Sequence, residues 1–119
     1  MKNRLLLISI IAIILIANSV FAQENAKKTE TSEFKVWGVC GQCKARIENA
    51  ALIKGVKLAE WNKQTQMLKV IFVPEKVTLD DIHKAVAEAG HDTEKVKAAD
   101  EVYNKLPKCC LYRDGVESH

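Results

Sequence analysis

Residues 37–44 read Trp-Gly-Val-Cys-Gly-Gln-Cys-Lys and place two cysteines, Cys40 and Cys43, where a strand-like pattern gives way to a helix-like pattern. This spacing lets both sulfur atoms converge on one point. The start of a helix adds free backbone N–H groups and the positive end of the helix dipole. Both effects are expected to lower the thiol pKa values and favour thiolates. A pair of this kind either holds a soft metal ion or exchanges disulfides.

The residues around this pair predict the first half of a small domain. Residues 33–37 alternate with the period of a strand, and residues 43–54 carry apolar side chains at helical spacing until Gly55 ends the helix. Residues 56–61 and 67–73 alternate again and are joined by a short polar connection. Two strands joined in this way predict a hairpin.

The following residues predict a second half of the same kind. The capping-box pattern of residues 78–81 precedes an apolar helical run that Gly90 ends, and the polar residues 91–96 predict a weak fourth strand at an edge. The order strand–helix–strand–strand–helix–strand predicts an α+β fold of the ferredoxin-like βαββαβ type. In that fold a four-stranded antiparallel sheet carries both helices on one face.

The beginning of the chain has the pattern of a secretory signal peptide. Lys2 and Arg4 precede a continuous apolar run, and small residues end at Ala22, so we expect cleavage of residues 1–22 and an exported, periplasmic protein. A retained membrane anchor is the alternative. Residues 23–32 are polar and are expected to form a flexible leader, and the mature form is not expected to be embedded in the membrane.

Composition excludes some function classes and leaves others open. The 18 basic and 15 acidic residues nearly balance and form no basic cluster, which argues against nucleic acid as a partner. An exported protein with four cysteines could also use them as structural disulfides. The layout argues against this, because the adjacent Cys109 and Cys110 would form a strained ring if they were bonded to each other.

The tail, residues 98–119, is expected to return to the cysteine pair. Residues 100–106 predict a short helix that Pro107 ends, followed by Cys109 and Cys110. A six-residue fourth strand would carry the chain about 20 Å away from the pair. A short helix and a few extended residues cover about 25 Å, so the tail can double back. It would then either add metal ligands or form a disulfide with the loop.

The four thiols favour a soft metal ion as the bound species. Copper(I) and mercury(II) accept two thiolates, whereas zinc(II) prefers four ligands and would need Cys109 and Cys110 as well as Cys40 and Cys43. Cys40 is expected to be the more accessible sulfur, and Cys43, at the helix start, the better-stabilised thiolate. Lys44 either offsets the negative charge of the site or is simply solvated.

Several other residues follow the cysteine pair at defined positions along the sequence: Ile47-Glu48, Gly55-Val56, Asn62, Val73-Pro74 and Ala89-Gly90. With these positions and this element order, residues 33–97 resemble the heavy-metal-associated domain family. This is the fold of soluble copper chaperones, of the amino-terminal modules of copper-transporting ATPases and of the periplasmic mercuric-ion binding protein. One departure is Gly38, where the family usually has a methionine packed beneath the loop. Trp37 or Val39 is expected to replace that packing.

The resemblance implies an exposed site that binds copper(I), or alternatively mercury(II) or zinc(II). It also implies transfer of the ion through shared three-coordinate intermediates to a membrane metal transporter or another metal-binding protein. The protein would not be an enzyme, and it would act as a monomer or a metal-bridged dimer.

The three histidines are expected to lie in different surroundings. His91, at the start of the predicted fourth strand, either adds a third metal ligand or fills an aromatic slot. His83 and His119 are expected to be solvated.

Overall fold

The computed structural model describes residues 28–114, so the predicted signal peptide and the first half of the predicted leader, residues 23–27, lie outside the described residues. The helices and strands are β1 (Glu30–Lys35), α1 (Gly41–Ala51), β2 (Val56–Trp61), β3 (Met67–Phe72), α2 (Leu79–Glu88) and α3 (Asp100–Tyr103). Two 3₁₀ turns follow, at Lys108–Cys110 and Tyr112–Asp114. Within residues 28–114, no helix has both the length and the apolar character to cross a membrane.

The three long strands form one antiparallel sheet in the order β1-β3-β2. The central strand places Lys69 opposite Glu33 on one side and opposite Glu60 on the other, and all three side chains are exposed. Leu68 and Val70, which alternate with Lys69, are fully buried. This alternation leaves one face of the sheet charged and gives the other face to the core.

The core lies between the buried sheet face and the inner faces of α1 and α2. Ile47 of α1 and Ile82 and Val86 of α2 are fully buried there. The predicted capping box at the start of α2 is confirmed, with the Thr78 hydroxyl accepting from the Asp81 backbone at 3.1 Å and the Asp81 carboxylate accepting from the Thr78 backbone at 3.2 Å. The prediction of an α+β fold with two helices packed on a sheet is therefore confirmed.

The prediction of a four-stranded sheet is wrong for the described residues. Residues 91–96 contribute only an isolated bridge between Val36 and Thr93. The Thr93 hydroxyl accepts from the backbone N–H of Val96 at 3.0 Å, and the Asp92 carboxylate accepts from that of Ala98 at 2.8 Å. Because these side chains bind backbone N–H groups three and six residues further along the chain, the segment closes on itself and does not extend as a strand.

Two element boundaries also differ from the prediction. β1 begins three residues earlier than expected, at Glu30, because Glu30, Thr31 and Ser32 pair with β3. The tail helix α3 covers only four residues, whereas a helix over residues 100–106 was expected. The remaining tail continues through the two 3₁₀ turns and folds back over the beginning of α1.

The prediction that His83 is solvated is wrong. The residue is 1% exposed, its ring stacks on Phe34 with centroids 3.8 Å apart, and its Nδ1 lies 2.6 Å from the Thr93 hydroxyl. His83 thus belongs to the core between α2 and the segment that follows it. His119 lies outside the described residues.

Candidate metal centre

The two cysteines of the loop occupy the first turn of α1. Cys40 is the N-cap residue, with extended backbone angles (φ −142°, ψ 175°), and its carbonyl accepts the first helical hydrogen bond, from the Lys44 N–H at 3.1 Å. The Sγ atoms of Cys40 and Cys43 lie 3.4 Å apart. The expected convergence of the two sulfurs at a helix start is confirmed.

The tail brings a third sulfur to this point. Cys110 Sγ lies 3.5 Å from Cys40 Sγ, and the sulfurs of Cys40, Cys43 and Cys110 all lie within 4.8 Å of one another. Among the described residues this is the one group of three or more such side chains that could hold a metal ion. The expectation that the tail doubles back to the cysteine pair is confirmed. All four cysteines are free thiols.

Cys109 lies beside this group but outside it. Its sulfur is 3.8 Å from Cys110 Sγ and donates to the side-chain oxygen of Gln42 at 3.2 Å. Of the two tail cysteines, Cys109 is the partly exposed one and Cys110 the buried one. The structure therefore separates two cysteines that the sequence treats alike, and ligation by either one stays a prediction.

The site is closed, whereas the resemblance implied an exposed one. Cys40 is 5% exposed, and Cys43 and Cys110 are fully buried. Cys110 lies against Cys40, and Cys109 reaches Gln42 in the first turn of α1. The returning tail therefore forms part of the cover over the sulfurs.

The three thiols differ in acidity. Burial alone would raise the pKa of Cys40, but hydrogen bonds from the Cys43 backbone N–H and from the neighbouring thiols outweigh it and lower that pKa to about 7. Burial raises the pKa of Cys43 and also the pKa of Cys110. The prediction that Cys43 is the better-stabilised thiolate is therefore wrong. Cys40 has that role because its position at the N-cap places its sulfur near the Cys43 N–H and the neighbouring thiols.

Trp61 occupies the space beneath the loop. A Cβ atom at Gly38 would lie 3.0 Å from two ring carbons of Trp61 and 3.1 Å from the Cβ of Cys43. The indole N–H donates to the Val36 carbonyl at 3.0 Å, which fixes the ring against β1. Val39 is buried, as expected, but it is Trp61 that packs against position 38.

Lys44 contacts residues of α1 and of β2. Its ammonium group pairs with Glu48 and donates to the Trp61 carbonyl at 2.9 Å, while Glu48 accepts from the Trp61 N–H at 2.8 Å. These contacts hold α1 against the end of β2. Lys44 is thus neither a free counter-charge nor merely solvated.

His91 fills the aromatic slot. Its Nδ1 donates to the Trp37 carbonyl at 2.9 Å, and its ring stacks on Tyr112 with centroids 5.4 Å apart. His91 is not among the residues whose possible ligand atoms lie within 4.8 Å of one another, which are Cys40, Cys43 and Cys110. Of the two interpretations of His91, the structure supports packing.

Sequence reasoning missed the residues that hold the tail in place. Tyr112 and Arg113 follow the cysteines and bind Asp92 and Gly90. The signal available in the sequence was an arginine and two tyrosines in a short tail, since such side chains often anchor one segment on another.

Several solved structures are similar to this chain. The CopZ metallochaperone has 29% identity and a TM-score of 0.52, with 54% of this chain and 98% of that chain covered. The N-terminal domain of a potential copper-translocating P-type ATPase from Bacillus subtilis, in its Cu(I)-loaded state, has 31% identity and a TM-score of 0.53, with 56% and 85% covered. Oxidised MerP from Ralstonia metallidurans CH34 has 26% identity and a TM-score of 0.53, with 56% and 96% covered.

Each of these proteins is matched over most of its own length, whereas little more than half of this chain is covered. No family profile matches the sequence, and no curated protein matches it either.

Proposed function

This chain belongs to the heavy-metal-associated domain family, and from that premise we propose that it binds one soft metal ion, copper(I), and passes it on by thiolate exchange. The ligands are Cys40 and Cys43 of the loop and Cys110 of the tail. The observation that carries this proposal is the approach of three sulfurs to within 4.8 Å of one another. Thiolates select soft ions over hard cations.

The order of ligand binding follows from the acidity of the thiols. Cys40, with a pKa of about 7, is the first thiolate available to an incoming ion near neutral pH. Cys43 and Cys110, whose pKa values burial raises, lose their protons when the ion reaches them. Metal binding therefore releases protons, and affinity rises with pH.

Transfer reverses this sequence. A partner thiolate adds to the ion while one of the three protein sulfurs leaves, so the ion stays bound to sulfur throughout. Cys110 is the sulfur that can withdraw, because it lies in the tail, in a 3₁₀ turn, and not in the loop or in α1. The transfer therefore does not require α1 to move.

The proposed setting is the cell envelope, and the proposed partner is a membrane metal transporter or another metal-binding protein. The pattern of residues 1–22 supports export. Similarity to the domain of a potential copper-translocating ATPase supports a transporter as partner. Similarity to a metallochaperone and to a copper-binding domain also agrees with the prediction that the chain is not an enzyme.

Mercury(II) and zinc(II) are the alternative ions. Mercury(II) also accepts two or three thiolates, so the same three sulfurs would serve it. Zinc(II) would need a fourth ligand, and the Cys109 sulfur, 3.8 Å from that of Cys110, is the candidate. The metal content of the protein isolated anaerobically from the cell, measured by native mass spectrometry, distinguishes the three ions.

A thiol–disulfide exchange protein is the second candidate function. The low pKa of Cys40 and its 3.4 Å distance from the Cys43 sulfur favour it. Catalytic reduction of insulin in the presence of excess dithiol would support this function, and we expect none above background.

The test of metal binding is a competition for copper(I) under anaerobic, reducing conditions. We expect the wild-type protein to withdraw one equivalent from a chromophoric chelator, and Cys40→Ser or Cys43→Ser to abolish this ability. Cys110→Ser should weaken binding by about 10- to 100-fold, because one thiolate is lost. Cys109→Ser is the matched control and should change affinity much less than Cys110→Ser, because the Cys109 sulfur lies outside the group of three. Equal losses in Cys109→Ser and Cys110→Ser would contradict the proposed ligand set.

A further inference from the structure

Arg113 fastens the tail to the body of the domain. Its guanidinium group donates to both carboxylate oxygens of Asp92, at 2.7 and 3.1 Å, and to the Ala98 carbonyl at 2.7 Å. It also pairs with Asp100 at 2.9 Å and lies over the Tyr103 ring, 4.3 Å from its centroid. The side chains of Arg113 and Asp92 are only 20% and 18% exposed, so this two-pronged pair is partly shielded from solvent.

Tyr112 adds a second attachment next to the first. Its hydroxyl donates to the Gly90 carbonyl at 2.7 Å and accepts from the Asp92 N–H at 2.8 Å. Its ring packs between His91, on which it stacks, and Tyr103, which it meets edge-on at 5.1 Å. Asp92, Tyr112 and Arg113 together are called the tail latch below.

Tyr112 and Arg113 of the tail latch lie two and three residues after Cys110, and the chain before Cys110 is held as well. Leu106 is 8% exposed and packs so closely on Gly90 that a Cβ there would lie 2.9 Å from it. Leu106, before Cys110, and Tyr112 and Arg113, after it, thus contact the same segment, residues 90–92. The position of the Cys110 sulfur therefore depends on contacts made outside the group of sulfurs.

We propose that the tail latch sets the number of thiolates in the site, with Arg113 as the positioning residue for Cys110. This inference rests on the proposed function. With the latch closed, the third thiolate is held at the loop and the ion has three sulfur ligands. With the latch open, Cys110 is a ligand on a flexible tether, and the ion is left with Cys40 and Cys43.

The expected change in copper(I) affinity follows from how firmly the tail holds Cys110. A ligand on a short flexible linker acts at an effective concentration in the millimolar range, whereas a ligand fixed in place acts at a much higher one. Loss of the latch should therefore lower copper(I) affinity roughly tenfold without removing any ligand. It should also speed transfer of the ion to a competing dithiol by about the same factor, because the change falls on release.

The test compares Arg113→Ala in two backgrounds, with Cys110 present and with Cys110→Ser, using the full-length mature chain and copper(I) alone as the probe. We expect about a tenfold loss of affinity with Cys110 present and less than about a twofold loss in the Cys110→Ser background. Arg113→Lys keeps the charge but loses the two-pronged geometry, so its loss should be intermediate. Lys105→Ala removes an exposed positive charge from the same tail and should leave affinity unchanged.

Equal losses from Arg113→Ala in the two backgrounds would overturn the inference, because Arg113 would then act only on overall folding. No loss in either background would overturn it as well. Circular dichroism melting of each variant shows whether it is folded at the assay temperature. If Arg113→Ala is unfolded there, the same comparison is made with Arg113→Lys. Should Cys110→Ser alone bind as tightly as wild type, the proposed ligand set fails, and that result is separate from the behaviour of Arg113.

Discussion

The indole ring of Trp61 lies against the backbone of Gly38, with two ring carbons 3.0 Å from the place where a Cβ at position 38 would stand. The ring is fixed by its hydrogen bond to the Val36 carbonyl, and the Trp61 backbone is fixed by Glu48 and Lys44. The loop thus rests on a large side chain from β2, where the family resemblance led us to expect support from Trp37 or Val39. This contact links the fold of the sheet to the position of both loop cysteines.

Gly38→Ala should destabilise the metal-free protein by about 1–2 kcal/mol, because the added methyl group meets a ring that is held in place. Gly41→Ala is the matched control, since a Cβ at that position would meet nothing within 4 Å. Urea denaturation of the reduced protein measures both changes. Equal stability of Gly38→Ala and wild type would show that the Trp61 ring can move aside.

Titration of the reduced, metal-free protein should reveal one thiolate that forms near pH 7. Burial opposes ionisation of Cys40, but hydrogen bonds from the Cys43 N–H and from nearby thiols lower its pKa to about 7. Burial raises the pKa values of Cys43 and Cys110, so neither should ionise in this range. The ultraviolet absorbance of the thiolate follows the titration, and Cys40→Ser should lose the step near pH 7. A step that survives in Cys40→Ser would assign it to another thiol.

Stability should fall in mild acid partly through His83. Burial lowers the pKa of this histidine in the folded state, so the unfolded chain takes up a proton as the pH falls below about 6.5 while the folded protein resists it. The unfolded state then binds more protons, and the free energy of unfolding falls by at most about 1.4 kcal/mol per pH unit from this group. The contribution is fully present above pH 6.5 and is lost as the pH falls toward the lowered value.

His83→Gln tests this prediction through urea denaturation at pH 5 and pH 7.5. The difference in unfolding free energy between the two pH values should be smaller in the variant than in wild type, although His91, whose pKa burial also lowers, still contributes. An identical difference in the two proteins would mean that His83 takes up its proton equally well when folded.

The sequence predicted the elements that depend on local patterns. The period of residues 67–73, the Thr78 capping box and the cysteine pair at a helix start all describe what neighbouring residues do to one another. The missing fourth strand could not be predicted in this way. Its residues are polar enough for an edge strand, but the side chains of Asp92 and Thr93 accept from backbone N–H groups a few residues further along. The period of the sequence does not reveal these contacts.

The candidate site could also be predicted only in part. The return of the tail followed from its length and its two cysteines, but which of them reaches the loop depends on Arg113 and Tyr112, whose partners lie about twenty residues away in the chain. The low pKa of Cys40 likewise depends in part on hydrogen bonds with the thiols of Cys110 and Cys109, which the tail brings to the loop. Long-range contacts, which sequence periodicity does not encode, decide these points.

X-ray absorption spectroscopy of the copper(I)-loaded protein tests the central claim most directly, because it counts the sulfur ligands of the ion. We expect three sulfur ligands in wild type and in Cys109→Ser, and two in Cys110→Ser. Two sulfur ligands in wild type, with no change in Cys110→Ser, would contradict a site that the tail completes.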